Sequence, residues 1–173
     1  MHVKKKGLII CAVGFAIFQI VAFGTIGIII LDNFLPQGIF PFKLEQAEKC
    51  FLNNQEDILL LTEFLIELDY EEVHIHDTSG YMFTGLETGD VKIKDSLIAS
   101  VAKKLLDENI CSAIEKEGNT ISFVMWENLR NVTKGVAYLT DGTSKVLNID
   151  YLVKSEPLKE MGWYYFEADY YAT

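Results

Sequence analysis

The sequence predicts an α+β protein: a single N-terminal transmembrane helix followed by a two-layer domain, in which two or three helices cover a four- or five-stranded, mostly antiparallel sheet. Three observations lead to this prediction. The chain opens with a long apolar run, two later segments repeat apolar residues at helical spacing, and the remainder alternates and turns as β-hairpins do. Helices that precede a run of hairpin-linked strands are typical of the two-layer α+β class.

The first 31 residues predict an uncleaved membrane anchor. Residues 1–6 form a basic flank with three lysines, and residues 7–31 carry no charge. As a helix, that uncharged run would extend about 37 Å, which exceeds the ~30 Å hydrocarbon core of a bilayer. Basic flanks stay on the cytoplasmic side, so we expect a single-pass protein of the cell membrane with its N-terminus in the cytoplasm and its C-terminal domain outside. Ala12, Ala16 and Gly24 fall near one helical face, which would permit self-association into a homo-oligomer.

Two alternatives concern processing of the N-terminal segment. The tripeptide Ala22-Phe23-Gly24 is an A-x-A-like site, so the segment could be a cleaved signal peptide. The run "KKKGLIICA" also resembles the leader of type IV pilins and pseudopilins. That resemblance covers the leader alone and implies a pilin-like subunit processed between Gly7 and Leu8. The sequence departs from the family's pattern at Ala12, where its members usually carry Glu.

We expect a membrane-proximal linker at residues 32–42 and an extracytoplasmic α+β domain at residues 43–173. Pro36, Gly38 and Pro41 would end any helix that continued from the anchor. The remaining linker residues are mostly apolar, unlike the Gly and Ser of a flexible spacer. The linker should therefore hold the domain near the lipid headgroups.

The outer part of the chain is strongly acidic. Without Lys4 to Lys6 and Asp32, 12 basic and 24 acidic residues remain, a net charge of about −12. Such a charge repels the phosphates of nucleic acids, so we expect no nucleic-acid partner. Among the 15 basic residues only Arg130 is an arginine, which suggests the AT-rich codons of a low-GC bacterium.

Two segments of the outer domain predict helices. Residues 43–68 have helical spacing of apolar residues, with a break expected at Asn53-Asn54. Asp95 is expected to cap a second helix, because its carboxylate can accept hydrogen bonds from the unpaired N–H groups of a first turn. From Leu97 to Leu106 the apolar residues again recur at three- and four-residue intervals.

Strands are predicted in the segments that follow each helix. "EEVHIHD" alternates, "TSGYMFTGLETGD" is rich in turns with room for short strands, and residues 110–126 predict a hairpin around a turn at Lys116–Asn119. Further strands are expected at "TKGVAYLTDG", "LNIDYLV" and "GWYYFEADYYA". The last segment holds six aromatic rings within nine residues, and because alternation cannot bury them all on one face, several should be exposed or half exposed.

The stretch "EEVHIHDTSGY" contains the most suggestive polar pattern. On a strand, His74 and His76 share a face with Glu72, and their Cβ atoms lie ~7 Å apart, close enough for both imidazoles to share one metal. A zinc site needs a third protein ligand, which would have to be Asp77 or an acid from another strand. Val73 and Ile75 should face the core, so the same alternation predicts that the histidines simply face water.

No catalytic motif is present elsewhere. The sequence lacks a Gly-rich phosphate loop, a G-x-S-x-G elbow and an H-E-x-x-H helix. Cys50 and Cys111 are expected as two separate core thiols, although an oxidising exterior would allow them to pair. We therefore assign no catalytic, cofactor-binding or metal residue from the sequence.

These observations favour a non-enzymatic, membrane-anchored extracytoplasmic binding or accessory module. Its expected partners are the lipid bilayer through residues 7–31 and a protein at the cell surface. Two alternatives remain open: a metal-dependent envelope hydrolase using His74 and His76, and the pilin-like subunit processed after Gly7.

Overall fold

The structure is a computed structural model that describes residues 42–85, 89–128, 131–141 and 147–171 of the chain. The chain divides into two units after Pro41, and the fold below is that of the second unit, Phe42–Thr173. The predicted anchor at 7–31 and linker residues 32–41 lie outside the described residues. Within the described residues, no helix combines the length and apolar character needed to span a bilayer.

The described residues form three helices and eight strands. The helices are α1 Leu44–Asn53, α2 Gln55–Glu67 and α3 Ser96–Asp107. The strands are β1 Glu72–Ile75, β2 Tyr81–Phe83, β3 Asp90–Lys92, β4 Ala113–Glu117, β5 Thr120–Glu127, β6 Val132–Leu139, β7 Leu152–Pro157 and β8 Trp163–Asp169. The α+β class is confirmed.

All eight strands belong to one sheet, in the order β3-β2-β1-β4-β5-β6-β8-β7, and each neighbouring pair is antiparallel. The prediction of four or five strands was wrong. Strands β2 and β3 have three residues each, too few to produce a recognisable alternation. Strand β7 begins at Leu152, so most of the segment predicted as a strand at 147–153 precedes it.

The two helical segments are where the sequence placed them. Asn54 separates α1 from α2, and its side-chain amide donates to the carbonyl of Cys50 at 2.9 Å. The Asp95 carboxylate accepts hydrogen bonds from the N–H groups of Leu97 and Ile98, at 2.8 and 3.3 Å, at the start of α3. Both the break and the cap are therefore confirmed.

The helices cover one face of the sheet and enclose the main core. The ring of Phe51 of α1 packs against that of Trp163 of β8 at a tilt of 47°, with ring centroids 4.6 Å apart. Val73 and Ile75 of β1 point into the same core, as the alternation predicted. Burial of apolar area is the main stabilising term in folding, so the packing of helices on this face contributes most of the domain's stability.

One lysine on the helix-covered face of the sheet forms hydrogen bonds with the helix layer. Lys116 of β4 is buried, and its ammonium donates to the carbonyl oxygens of Leu65 and Leu68, at 2.9 and 2.7 Å. These carbonyls lie at the C-terminal end of α2, where the helix dipole favours a positive charge. Burial lowers the pKa of Lys116. Lys116 thus links the sheet to the end of α2.

The C-terminal aromatic strand is mostly part of the core. Trp163 and Tyr165 are buried against the helices, and Phe166 is buried on the opposite face of the sheet. Tyr170 and Tyr171, which follow the strand, are 47% and 71% exposed. The expectation of several exposed or half-exposed rings therefore holds for Tyr164, which is half-buried within β8, and for the two tyrosines beyond its end.

Gly135 lies in β6, where the backbone of β5 and the ring of Phe166 both come close. A Cβ atom at position 135 would lie 2.0 Å from the carbonyl oxygen of Phe123 and 3.0 Å from Phe166. The paired strand β5 shifts its register between Val124 and Trp126, beside this position. A bulge of this kind brings backbones together, and only glycine fits at the point of contact.

We expect Gly135→Ala to lower the free energy of unfolding by about 3 kcal/mol or more, because backbone must move to admit the methyl group. The measurement is chemical denaturation of the purified protein. Gly80→Ala is the matched control: its added Cβ has no neighbour within 4 Å, and only the positive φ of +80° opposes it. That control should cost about 1 kcal/mol. Equal losses for the two variants would contradict the close approach at Gly135.

Candidate functional site

The face of the sheet opposite the helices carries a polar row at its centre. The strand register places Phe83, His74, Glu115, Ser122 and Ala137 side by side across five neighbouring strands. Directly paired residues on antiparallel strands point to the same face, with Cβ atoms ~5 Å apart. The register therefore brings His74 of β1 and Glu115 of β4 into contact.

A cavity of about 470 Å³ lies over this open face. Its apolar floor includes Val124 and Phe166, which belong to a second, smaller core cluster. Its polar lining includes two histidines and five carboxylates: His74, His76, Glu72, Glu115, Glu117, Glu127 and Asp150. Among the lining residues, all from the described part of the chain, none is lysine or arginine. The cavity is therefore an acidic, half-open site.

His74 is held between two carboxylates, one at each ring nitrogen. Its Nδ1 lies 3.5 Å from Oε1 of Glu115, and its Nε2 lies 2.9 Å from Oε1 of Glu72. Hydrogen bonding and charge from Glu115 and then from Glu72 outweigh burial and raise the pKa of His74 to about 9. In the protein without a bound metal, His74 is thus a cation at neutral pH.

His76 stands beside His74 on the same face. The two rings are nearly parallel, with an interplanar angle of 16° and centroids 5.5 Å apart. Both histidines also line an adjoining, smaller cavity of about 250 Å³, together with Asp77 and Asp90. One ligand atom from each of His74, His76 and Glu115 lies within 4.8 Å of the other two.

The third member of this cluster comes from a neighbouring strand. Asp77, the other carboxylate that the sequence offered, bonds instead to the backbone N–H and the hydroxyl of Ser79. The pairing of β1 with β4 supplies Glu115, 39 positions beyond His76 in the sequence. Nothing in the local pattern around the histidines points to Glu115. Identifying it requires the correct pairing and register of β1 with β4.

Carboxylate crowding extends along the open face. Burial, together with the nearby charges of Asp150, Glu72 and Glu115, raises the pKa of Glu117. Burial and the same acidic surroundings, Glu115 foremost among them, raise the pKa of the Tyr170 hydroxyl. Both effects show that this face has an excess of negative charge, which a cation would relieve.

Cys50 and Cys111 lie away from the histidines. Both are free thiols; Cys111 is buried in the core beneath the helices, and the thiol of Cys50 points at the carbonyl of Ile110. Burial raises the pKa of Cys50 and raises that of Cys111 to about 12. A raised thiol pKa opposes nucleophilic use, and the fold brings neither thiol to the open face.

No protein-family model, curated protein or solved structure matches the chain. Function must therefore be argued from the geometry of the open face. Fold and site together define a small α+β domain with an acidic, histidine-bearing concavity on an uncovered sheet.

We expect the imidazole of His74 to titrate near pH 9 in the presence of a chelator. Because its folded-state pKa is raised above the ordinary 6.5, the stabilisation it provides is fully present below pH 6.5 and is lost as the pH rises through about 9. Glu115→Gln and Glu72→Gln should each lower the pKa of His74, and the double variant should lower it further. NMR titration of the ring protons measures this, and an unchanged pKa in the double variant would contradict the arrangement.

Proposed function

We propose that this protein is a single-pass, membrane-anchored binding module with its C-terminal domain outside the cytoplasm, and that it binds a positively charged segment of a cell-surface protein. The anchor is supported by the uncharged run at 7–31 and its basic flank. The binding role is supported chiefly by one observation: the acidic cavity on the open sheet face, with no basic residue among its lining residues.

The charge of the cavity favours a cationic partner. Five carboxylates around a concavity of about 470 Å³ create a negative potential, and the low-dielectric floor of the sheet strengthens it. Lysine or arginine side chains of a partner would enter this potential and release the repulsion among the carboxylates. Complementary charge of this kind governs the choice of partner and the rate of association.

Aromatic groups at the cavity edge support the same class of partner. Tyr170 lines the cavity, and its ring contacts the exposed ring of Tyr151, with centroids 4.7 Å apart. An arginine or lysine over a tyrosine face gains a cation–π attraction, and tyrosines are frequent energetic centres of interfaces. These two rings, rather than the buried rings of β8, are the exposed aromatic contacts at this edge of the cavity.

With the anchor, a weak interaction between the cavity and its partner is sufficient for binding. A domain confined to the membrane by residues 7–31 meets other membrane or surface proteins at a high effective concentration. Solvated carboxylate contacts, each weak alone, can then maintain a complex. The proposal therefore needs a surface of defined charge and does not need a deep pocket.

A photo-crosslinking experiment in intact cells tests the proposal. With p-benzoylphenylalanine in place of Tyr170, we expect covalent adducts with one defined partner, and the triple variant Glu117→Gln, Glu127→Gln, Asp150→Asn should lower their yield about tenfold by removing three negative charges from the cavity. The matched control, Glu45→Gln, Glu63→Gln and Glu108→Gln, removes the same charge from exposed helix-side positions and should leave the yield unchanged.

A crosslinker at Leu97, which is 59% exposed on α3, reports on the helix side of the domain and should give no adduct with that partner. Equal adduct yields in the cavity and helix-side charge variants would contradict an electrostatic role for the open face. Adducts to the partner from Leu97 alone would place binding on the helices instead.

A further inference from the structure

We propose that His74, His76 and Glu115 bind one Zn²⁺ ion on the open face of the sheet, leaving one coordination position directed at the cavity. The inference goes beyond the proposed partner, because zinc binding needs only these side chains and requires no second protein. It also differs from the general negative charge of the face, since it depends on two imidazoles and one particular carboxylate.

The spacing of the ligand atoms suits a tetrahedral ion. Zinc binds imidazole nitrogen and carboxylate oxygen at ~2.0–2.2 Å, which places neighbouring ligand atoms of a tetrahedron about 3.3–3.5 Å apart. Nδ1 of His74 and Oε1 of Glu115 are already 3.5 Å apart. A ring nitrogen of His76 lies within 4.8 Å of one ligand atom of each of the other two residues, and rotation of this exposed side chain would close the remaining gap.

The backbone holds two of these ligands with little freedom. His74 lies in β1, and Glu115 is its direct cross-strand partner on β4, whereas His76 is the residue directly after Ile75, the last residue of β1. Strand β4 lies inside the sheet between β1 and β5, and the next residues of both strands, Ile75 and Ile114, are fully buried in the core. Sites on rigid strands lose less entropy when the ligands converge on a metal than sites on loops.

Glu72 provides the outer support that zinc-binding histidines usually have. A ligating imidazole commonly donates its other ring N–H to a carboxylate, which fixes its tautomer and orientation. Nε2 of His74 lies 2.9 Å from Glu72, so its N–H can donate to this carboxylate, while zinc would take the place of the proton on Nδ1, beside Glu115. The arrangement thus includes both a set of ligands and the group that orients one of them.

The ligand set favours zinc over the hard cations. Magnesium and calcium prefer six or more oxygen ligands, whereas two imidazoles with one carboxylate match the three-ligand zinc sites that keep a fourth position for water or another donor. At this site the fourth position would face the cavity, whose volume of about 470 Å³ admits a small molecule or a partner's side chain. A zinc ion at this site is also what the hydrolase hypothesis for His74 and His76 requires.

Zinc titration of the full-length chain, purified in detergent and stripped with a chelator, tests this inference. With a chromophoric zinc indicator as competitor, we expect one ion per chain. Affinity should fall at least tenfold in each of His74→Gln, His76→Gln and Glu115→Gln. Glu72→Gln should lower it about tenfold through loss of orientation. The controls His2→Gln and Glu63→Gln, the latter on the helix side, should stay within about twofold of the wild type.

X-ray absorption at the zinc edge of the loaded wild-type protein provides a readout that needs no variant. We expect a four-coordinate first shell of nitrogen and oxygen with the scattering signature of two imidazoles. A wild type that binds no zinc, a first shell without imidazole, or unchanged affinity in the two histidine variants would overturn the site and, with it, the hydrolase hypothesis. None of these results bears on the partner proposed above, whose crosslinking test uses other carboxylates.

Discussion

The two-residue period of the β-strands is the constraint on which the rest of the structure depends. It directs Val73 and Ile75 into the core under the helices and turns His74 and His76 to the other side. Because the pairing of β1 with β4 is fixed by that buried face, the position of Glu115 opposite His74 is fixed as well. A slip of β1 by one residue would bury the histidines and expose Val73 and Ile75, so fold and site are specified by the same register.

The helix-covered face also contains charged groups, but these have structural partners. Lys116 donates to carbonyls at the end of α2, and the buried ammonium of Lys134 lies 3.3 Å from the carboxylate of Glu167. Oε1 of Glu167 in turn lies 2.7 Å from the hydroxyl of Tyr165, which is also 3.0 Å from the carbonyl of Phe42. This network ties the first residue of the domain to β8. Truncating one member of such a buried pair is costly, so these groups are poor candidates for a reactive role.

Much of the fold follows from local signals in the sequence. The break at Asn54, the cap at Asp95 and the hairpin turn within 116–119 each rest on a few adjacent residues, and each is present, the turn being formed by Gly118 and Asn119. The short strands β2 and β3 were underestimated because three residues carry no periodic signal. The number of exposed rings in the aromatic strand β8 is lower than its alternation suggests, because burial on both faces of a sheet cannot be inferred from one strand alone.

The candidate site was only half visible for a related physical reason. The H-x-H pair is recognisable from adjacent residues, whereas the position of Glu115 beside it depends on strand pairing across the sheet. The acidic cavity draws residues from β1, β4 and β5 and from the segment that includes Asp150, and no single stretch of sequence shows that they converge. Composition predicted a negative domain; the tertiary fold placed five of its carboxylates around one concavity.

The central claim is that the open face of the sheet is covered by a partner outside the cytoplasm. Single cysteines at Ser112, beside the cavity, and at Ser100, on α3, measure this directly in a chain whose Cys11, Cys50 and Cys111 are replaced by alanine. With a membrane-impermeant maleimide, both positions should react in the purified protein, whereas in intact cells Ser100→Cys should react and Ser112→Cys should be protected. Equal labelling of both positions in cells would contradict a covered open face, and no labelling of either would contradict a domain outside the cytoplasm.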